Sequence, residues 1–171
     1  IEHQDTLLSM FILAGLYYNQ NKYSEAESLL RKVLEGRLRV LGQEHSDTLL
    51  TKVHLAMSYV NQHRQYDEAN KLLTDTVEMQ SQLFGEEHPW TLQSMSLVAD
   101  AYEKQGKYTE ALELLTPVIE LQREILGEEH SDIFTSRQTL FNIYFDLKDY
   151  VKCEEILNEI IIAHRHRFGN D

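Results

Sequence analysis

The side chains in this 171-residue chain whose types could do chemistry are eight histidines, one cysteine and several paired acidic residues. Imidazoles can hold zinc, but structural zinc sites draw their ligands from short spacings. His3, His45, His88 and His130 stand 42, 43 and 42 residues apart. A spacing that regular and that long gives each histidine to a separate structural unit, and the expected role is capping of helix starts and packing of linkers. His164 and His166 are two apart, so on a helix they point to different faces. With Arg165 and Arg167 they make a cationic last turn that suits the negative end of the helix dipole. Cys153 has no second cysteine to pair with. It stands where sister segments place alanine, which makes it a small core residue and not a nucleophile. No Gly-rich phosphate loop, GxSxG elbow or HExxH occurs. Glu86-Glu87 and Glu128-Glu129 lie near expected helix starts, where free amides favour negative charge. No catalytic residue, metal site or cofactor is expected, and the chemistry that remains is recognition.

The histidine spacing exposes the elements that must position everything else. GQEHSDTL, GEEHPWTL and GEEHSDIF recur, and the chain opens on IEHQDTL. Gly42, Gly85, Gly127 and Gly169 keep step at 43, 42 and 42 residues. A second landmark follows in each unit as NKYSEA, RQYDEA, GKYTEA and KDYVKC, anchored on Tyr23, Tyr66, Tyr108 and Tyr150. The second unit has one extra residue, in the polar run Gln62-His63-Arg64-Gln65, which predicts a surface turn between two helices.

The first half of each unit predicts a helix of about four turns. In the first unit Leu13, Leu16 and Tyr17 keep helical spacing, with Asp5 or Thr6 as the cap. The second half predicts a longer helix with an apolar stripe of Ala26, Leu29, Leu30, Val33, Leu34, Leu38 and Leu41. Ser24 and Glu27 are spaced as a capping box, and each long helix is expected to stop at its glycine in a left-handed conformation. Pro117 falls inside the third long helix, which predicts a kink.

Composition narrows the class. The net charge of −12 disfavours nucleic acid and anionic membrane surfaces, and it is read as solubility rather than as a dedicated site for basic ligands. No run approaches the roughly 20 apolar residues of a membrane span. A lone cysteine agrees with a reducing compartment, so a cytoplasmic location is expected.

Two antiparallel helices cannot bury both apolar faces alone, whereas stacked hairpins can. Aligned by unit, small residues fall at Ala14, Ala56 and Ala99 and at Ala26, Ala69, Ala111 and Cys153, with aromatics at Tyr17, Tyr59, Tyr102 and Tyr144. This pattern resembles the tetratricopeptide signature, in the lengthened form similar to the repeats of kinesin light chains and of fungal nucleotide-binding receptor-like proteins. The resemblance implies an all-α fold, an α-α superhelix (solenoid) of four helical hairpins. It forms one array over 1–171, with repeats at 3–44, 45–87, 88–129 and 130–171. The chain is expected to be a fragment of a longer protein cut at repeat boundaries. In the fourth unit Phe141 and Cys153 replace the small pair, so its helices are expected to sit further apart.

The resemblance further implies a scaffold that binds a peptide or partner domain along a groove lined by the first helices. It places Phe11, Ile12, Gly15 and Asn19 there in the first unit, then Val53, His54, Met57 and Asn61. Gln93, Ser96, Asp100 and Lys104 continue the row, followed by Gln138, Thr139, Asn142 and Asp146. The positions that clamp a terminal carboxylate in chaperone-binding relatives hold Phe11, Gly15, His54, Gln93 and Leu97, which does not support such a clamp. Phe11, Val53 and Met57 predict an exposed apolar cluster in the N-terminal half and a polar C-terminal half, suited to an apolar anchor, unless strong superhelical curvature lets these side chains touch each other and close the gap. The alternative is a structural spacer or self-association segment. Ile160, Ile161 and Ile162 spread over about 200° of the final helix and cannot all be covered by one neighbour.

Overall fold

The computed structural model describes residues 3–168. These form eight helices: α1 (Gln4–Asn19), α2 (Tyr23–Val40), α3 (Ser46–Asn61), α4 (Tyr66–Phe84), α5 (Pro89–Lys104), α6 (Tyr108–Leu126), α7 (Ser131–Asp146) and α8 (Tyr150–Phe168). The contacts divide the chain into two compact units, Ile1–Leu83 and Phe84–Asp171. In the first, α2 packs against both α1 and α3. In the second, α5 packs on α6 and α7, and α7 packs on α6 and α8.

The short helices begin at the histidines. His3, His45, His88 and His130 are N-caps with extended backbone. Each Nδ1 accepts the amide N–H two residues on, at 3.4, 3.1, 3.2 and 3.2 Å, satisfying one of the orphan donors of the first turn. The cap of α1 is therefore His3 and not Asp5 or Thr6, because the helix starts one turn earlier than its apolar residues suggest.

The short helices end in a shared motif. The amides of Lys22, Arg64, Lys107 and Asp149 reach back to the carbonyls of Tyr17, Tyr59, Tyr102 and Tyr144, and the preceding residue takes a positive φ. This is the 6→1 bond of a Schellman ending. Three of the four left-handed residues, Asn21, His63 and Lys148, carry a side chain, and only Gly106 is glycine.

Because α2 starts at Tyr23, Ser24 already lies inside its first turn, and the expected capping box does not form: the N-cap Lys22 makes no side-chain bond. Ser24 Oγ donates instead to Gln62 Oε1 at 2.9 Å. Glu27 accepts from Arg31 Nε, Gln62 Nε2 and Arg64 Nη2 at 3.1, 3.0 and 2.7 Å, tying α2 to the turn after α3. Burial pushes the Glu27 carboxyl up, but the bonds from Gln62 and Arg31 and the charges of Arg64 and Arg31 outweigh it, and its pKa is lowered.

Ala14, Ala56 and Ala99 are wholly buried, as are Ala26, Ala69 and Ala111. The stripe of α2 continues from Ala26, Leu30 and Val33 to Arg37 rather than to Leu38, which is exposed. On α1 the buried residues are Leu7 and Ala14, while Leu13 and Leu16, expected on the packed face, are exposed. In α8 the buried face rotates to Cys153, Ile156 and Ala163 and leaves Leu157, Ile161 and Ile162 exposed. Cys153 Sγ lies 3.9 Å from the carbonyl of Phe141. Helix α6 runs unbroken through Pro117, whose ring is exposed, so the Glu113 carbonyl it frees lies on the solvent side. Gly42, Gly85 and Gly127 follow the long helices with positive φ. At Gly127 ψ is 152°, which is glycine-only territory beyond the expected left-handed helical region. Gly169 and the side chains of His166 and Arg167 lie outside the described residues.

Candidate interaction surface

In the first unit α1 and α3 bring part of the expected row together. The Phe11 ring meets His54 edge-on, with centroids 5.1 Å apart, and the Arg37 guanidinium lies 4.7 Å from the Phe11 centroid. Arg37 is held by donating from Nη1 to the Asp47 carbonyl and to Thr51 Oγ1, both at 2.8 Å. Burial, and then the charge of Arg37, lowers the His54 pKa, so the imidazole is held neutral beside the guanidinium. Asn61 Nδ2 donates to Tyr18 Oη at 2.6 Å and to the Met57 carbonyl at 2.9 Å. Asn19 is exposed, and nothing lies within 4 Å of where a Cβ on Gly15 would sit. Around that notch α1 exposes Leu8, Ile12 and Leu16.

Val53 and Met57 correct the expectation of an exposed apolar cluster: they are only 6% and 7% exposed. Every residue from Leu55 to Val60 is buried, so α3 has no free face along that stretch and the helical offset that singled out Met57 loses its meaning.

In the second unit the row splits in the same way. Gln93 is exposed, and Gln138 and Asn142 are bonded to each other through Gln138 Nε2 and Asn142 Oδ1 at 3.0 Å. Lys104 Nζ lies 2.7 Å from both oxygens of Asp100, a partly buried pair. Ser96 belongs to the core. Its hydroxyl bonds with Ser136 Oγ at 2.9 Å and accepts from Gln122 Nε2 at 3.1 Å, while Ser136 donates to Gln122 Oε1 at 2.8 Å. Thr139 is likewise buried, and Asp146 accepts from Tyr108 Oη at 3.0 Å.

The polar residues of this core were missed from sequence because only the apolar stripe was followed along the long helices. The signal was present: at the same 43- and 42-residue offsets as the histidines, Arg37, Gln80 and Gln122 fall in register, and all three are buried. Arg37 bonds Thr51, and Gln122 bonds the equivalent Ser136. Arg137 has no such periodicity to reveal it. It is 2% exposed, donates from Nη2 to Glu128 at 2.7 Å and faces Glu159 from Nε at 3.2 Å, beside a cavity of about 410 Å³ bounded by α6, α7 and α8. Among the described residues no group of three or more His, Cys, Asp or Glu side chains could hold a metal ion. No helix among them is long and apolar enough to cross a membrane.

Family descriptions of the tetratricopeptide repeat match residues 6–47 and 47–124. No match was found among curated proteins. Among solved structures, the chain is similar to nearly identical TPR-like repeats from Podosopora anserina ascribed to a kinesin light chain. A variant form of those repeats matches at 30% identity and a TM-score of 0.74, covering 96% of this chain and 77% of that one. A second structure of the same repeats gives 29% identity and 0.72, covering 98% and 79%. BtubC (BKLC) from P. vanneervenii, at 17% identity, shares the fold, with a TM-score of 0.75 and coverage of 98% and 66%. The eight helices and these likenesses place the fold in the all-α helical-repeat solenoid class. The periodic histidine caps, the buried alanines and the tyrosine-anchored turns all recur in step with the matched repeats, and the chain belongs to the tetratricopeptide repeat family in its kinesin-light-chain-like form.

Proposed function

We propose that the chain is a non-catalytic scaffold of the cytoplasm that binds a protein or peptide, and not nucleic acid, along its first helices. Proteins of this repeat family generally mediate protein–protein interaction. The observation that carries the finer reading is the face of α1, where Leu8, Ile12 and Leu16 stay exposed and Gly15 leaves open space between them. That combination suits an inserted apolar side chain, with the exposed Asn19 placed to bond the main chain that carries it. Gln93, Asp100, Lys104, Gln138 and Asn142 offer polar contacts on the first helices of the second unit.

Filling the notch tests this reading. Ile12 is exposed and a Cβ at Gly15 meets nothing within 4 Å, so Gly15→Leu and Ile12→Glu are both expected to unfold no more easily than the parent chain. Binding of peptides selected against the parent chain, read by calorimetry, is expected to weaken at least tenfold. Unchanged affinity in both variants overturns the reading. A second reading, self-association, is favoured by the exposed Leu157, Ile161 and Ile162 of α8. Light scattering decides it: a mass that stays monomeric at high concentration excludes it.

A further inference from the structure

At three of the four histidine caps the second residue of the helix is acidic, namely Asp5, Asp47 and Asp132, where a carboxylate suits the positive end of the helix dipole. At the start of α5 that position holds Trp90, and the first turn has no acidic residue. The substitution gives up a favourable charge and exposes a large aromatic side chain, since Trp90 is 49% accessible. The ring is held in place. Phe84 meets it edge-on at 5.5 Å with planes 86° apart, and His88 lies 5.4 Å from Trp90 and 5.0 Å from Phe84. The His88 cap bond to the Trp90 amide and the bond from Thr91 Oγ1 to the Gly85 carbonyl at 2.9 Å pin the loop that carries the rings. Glu86 and Glu87, between Phe84 and His88 in the chain, are exposed and make no ion pair among the described residues.

We propose that the corner formed by Phe84, His88 and Trp90 docks an arginine side chain from a basic segment of a partner. Perpendicular aromatic faces, joined by a stretch of chain that carries two exposed glutamates, offer a guanidinium a stacking surface and a nearby source of acceptors for its N–H groups. A net charge of −12 draws such a segment in and penalises an acidic one. The site shares no residue with the first-helix row, so its failure leaves the proposed function untouched.

Trp90 is the only tryptophan in the chain, so its fluorescence reports the site directly. The probe is the peptide acetyl-Gly-Arg-Gly-Arg-Gly-amide, with its lysine and citrulline counterparts as controls. The expected result is a saturable fluorescence change with the arginine peptide, a weaker response with lysine and none with neutral citrulline. Trp90→Asp restores the residue type of the sister caps and adds a negative charge. Affinity of a dye-labelled arginine peptide, read by anisotropy, is expected to fall about tenfold in that variant and in Phe84→Ala, and severalfold in Glu86→Gln/Glu87→Gln. Equal or tighter binding to Trp90→Asp shows that bulk charge alone attracts the peptide and overturns the proposal. So does the absence of a saturable response in the parent chain.

Discussion

Gln122 gives the sharpest test of how the core is built, because it decides whether Ser96 belongs to the interior or to a binding groove. Its side chain is fully buried and bonds two hydroxyls, Ser96 at 3.1 Å and Ser136 at 2.8 Å. Gln122→Ala removes both bonds, at about 1 kcal/mol each. Truncating a buried chain adds roughly another 1 kcal/mol from lost packing. The two serines keep their mutual bond at 2.9 Å, and Ser96 keeps the Leu92 carbonyl at 3.1 Å, so neither hydroxyl is orphaned and the loss stays near 3 kcal/mol. With a urea slope of about 1–3 kcal/mol/M, the midpoint falls by roughly 1–3 M. Replacing all three groups by apolar residues, as Ser96→Ala/Gln122→Leu/Ser136→Ala, removes donors and acceptors together and is expected to stay within about 1 kcal/mol of the parent chain. Equilibrium urea unfolding followed by circular dichroism and Trp90 fluorescence measures both. A loss below about 0.5 kcal/mol for Gln122→Ala is what an exposed position gives, and it refutes the buried network.

Met57→Ala is expected to cost about 2–4 kcal/mol in the same assay, as a buried side chain does, and a cost near zero returns Met57 to the surface. His54 has its pKa lowered in the folded state by burial and by Arg37, so the unfolded chain binds more protons below about pH 6.5. Its contribution is complete above that pH and is lost as pH falls through the folded value. The stability difference between pH 7.5 and 5.5 is expected to shrink in His54→Gln, and an unchanged difference contradicts the assignment. Lys148 sits at φ 62° at the end of α7, a conformation that burdens any residue with a Cβ, so Lys148→Gly is expected to raise stability by about 0.5–1 kcal/mol, read as a higher thermal midpoint.

What was legible in the sequence was whatever repeated in phase. The histidines, alanines and tyrosines recur at the same offsets because each repeat needs the same cap, the same close helix contact and the same turn. Spacing alone therefore located the helices and their small-residue contacts. It was less informative where a long helix changes the face it buries. Leu38 continues an apolar period on paper, yet Arg37 takes the buried place, because the neighbouring helix and its hydrogen-bonding groups choose the face. The groove row suffered for the same reason. An offset that gives one side of an isolated helix holds for α1, with its open notch at Gly15, but not for α3, which is buried along most of its length and takes Val53 and Met57 inside. Ser96 reads as a polar groove residue until Gln122 and Ser136, distant in sequence, supply its partners.

The central claim is that the exposed face of α1 around Gly15 receives the partner. The most direct measurement is backbone amide chemical-shift mapping of the protein with a peptide selected for binding. The predicted shifts gather on α1 around Gly15 and Asn19. Shifts confined to α2, α4, α6 and α8, with Gly15 and its neighbours unmoved at saturation, contradict the account.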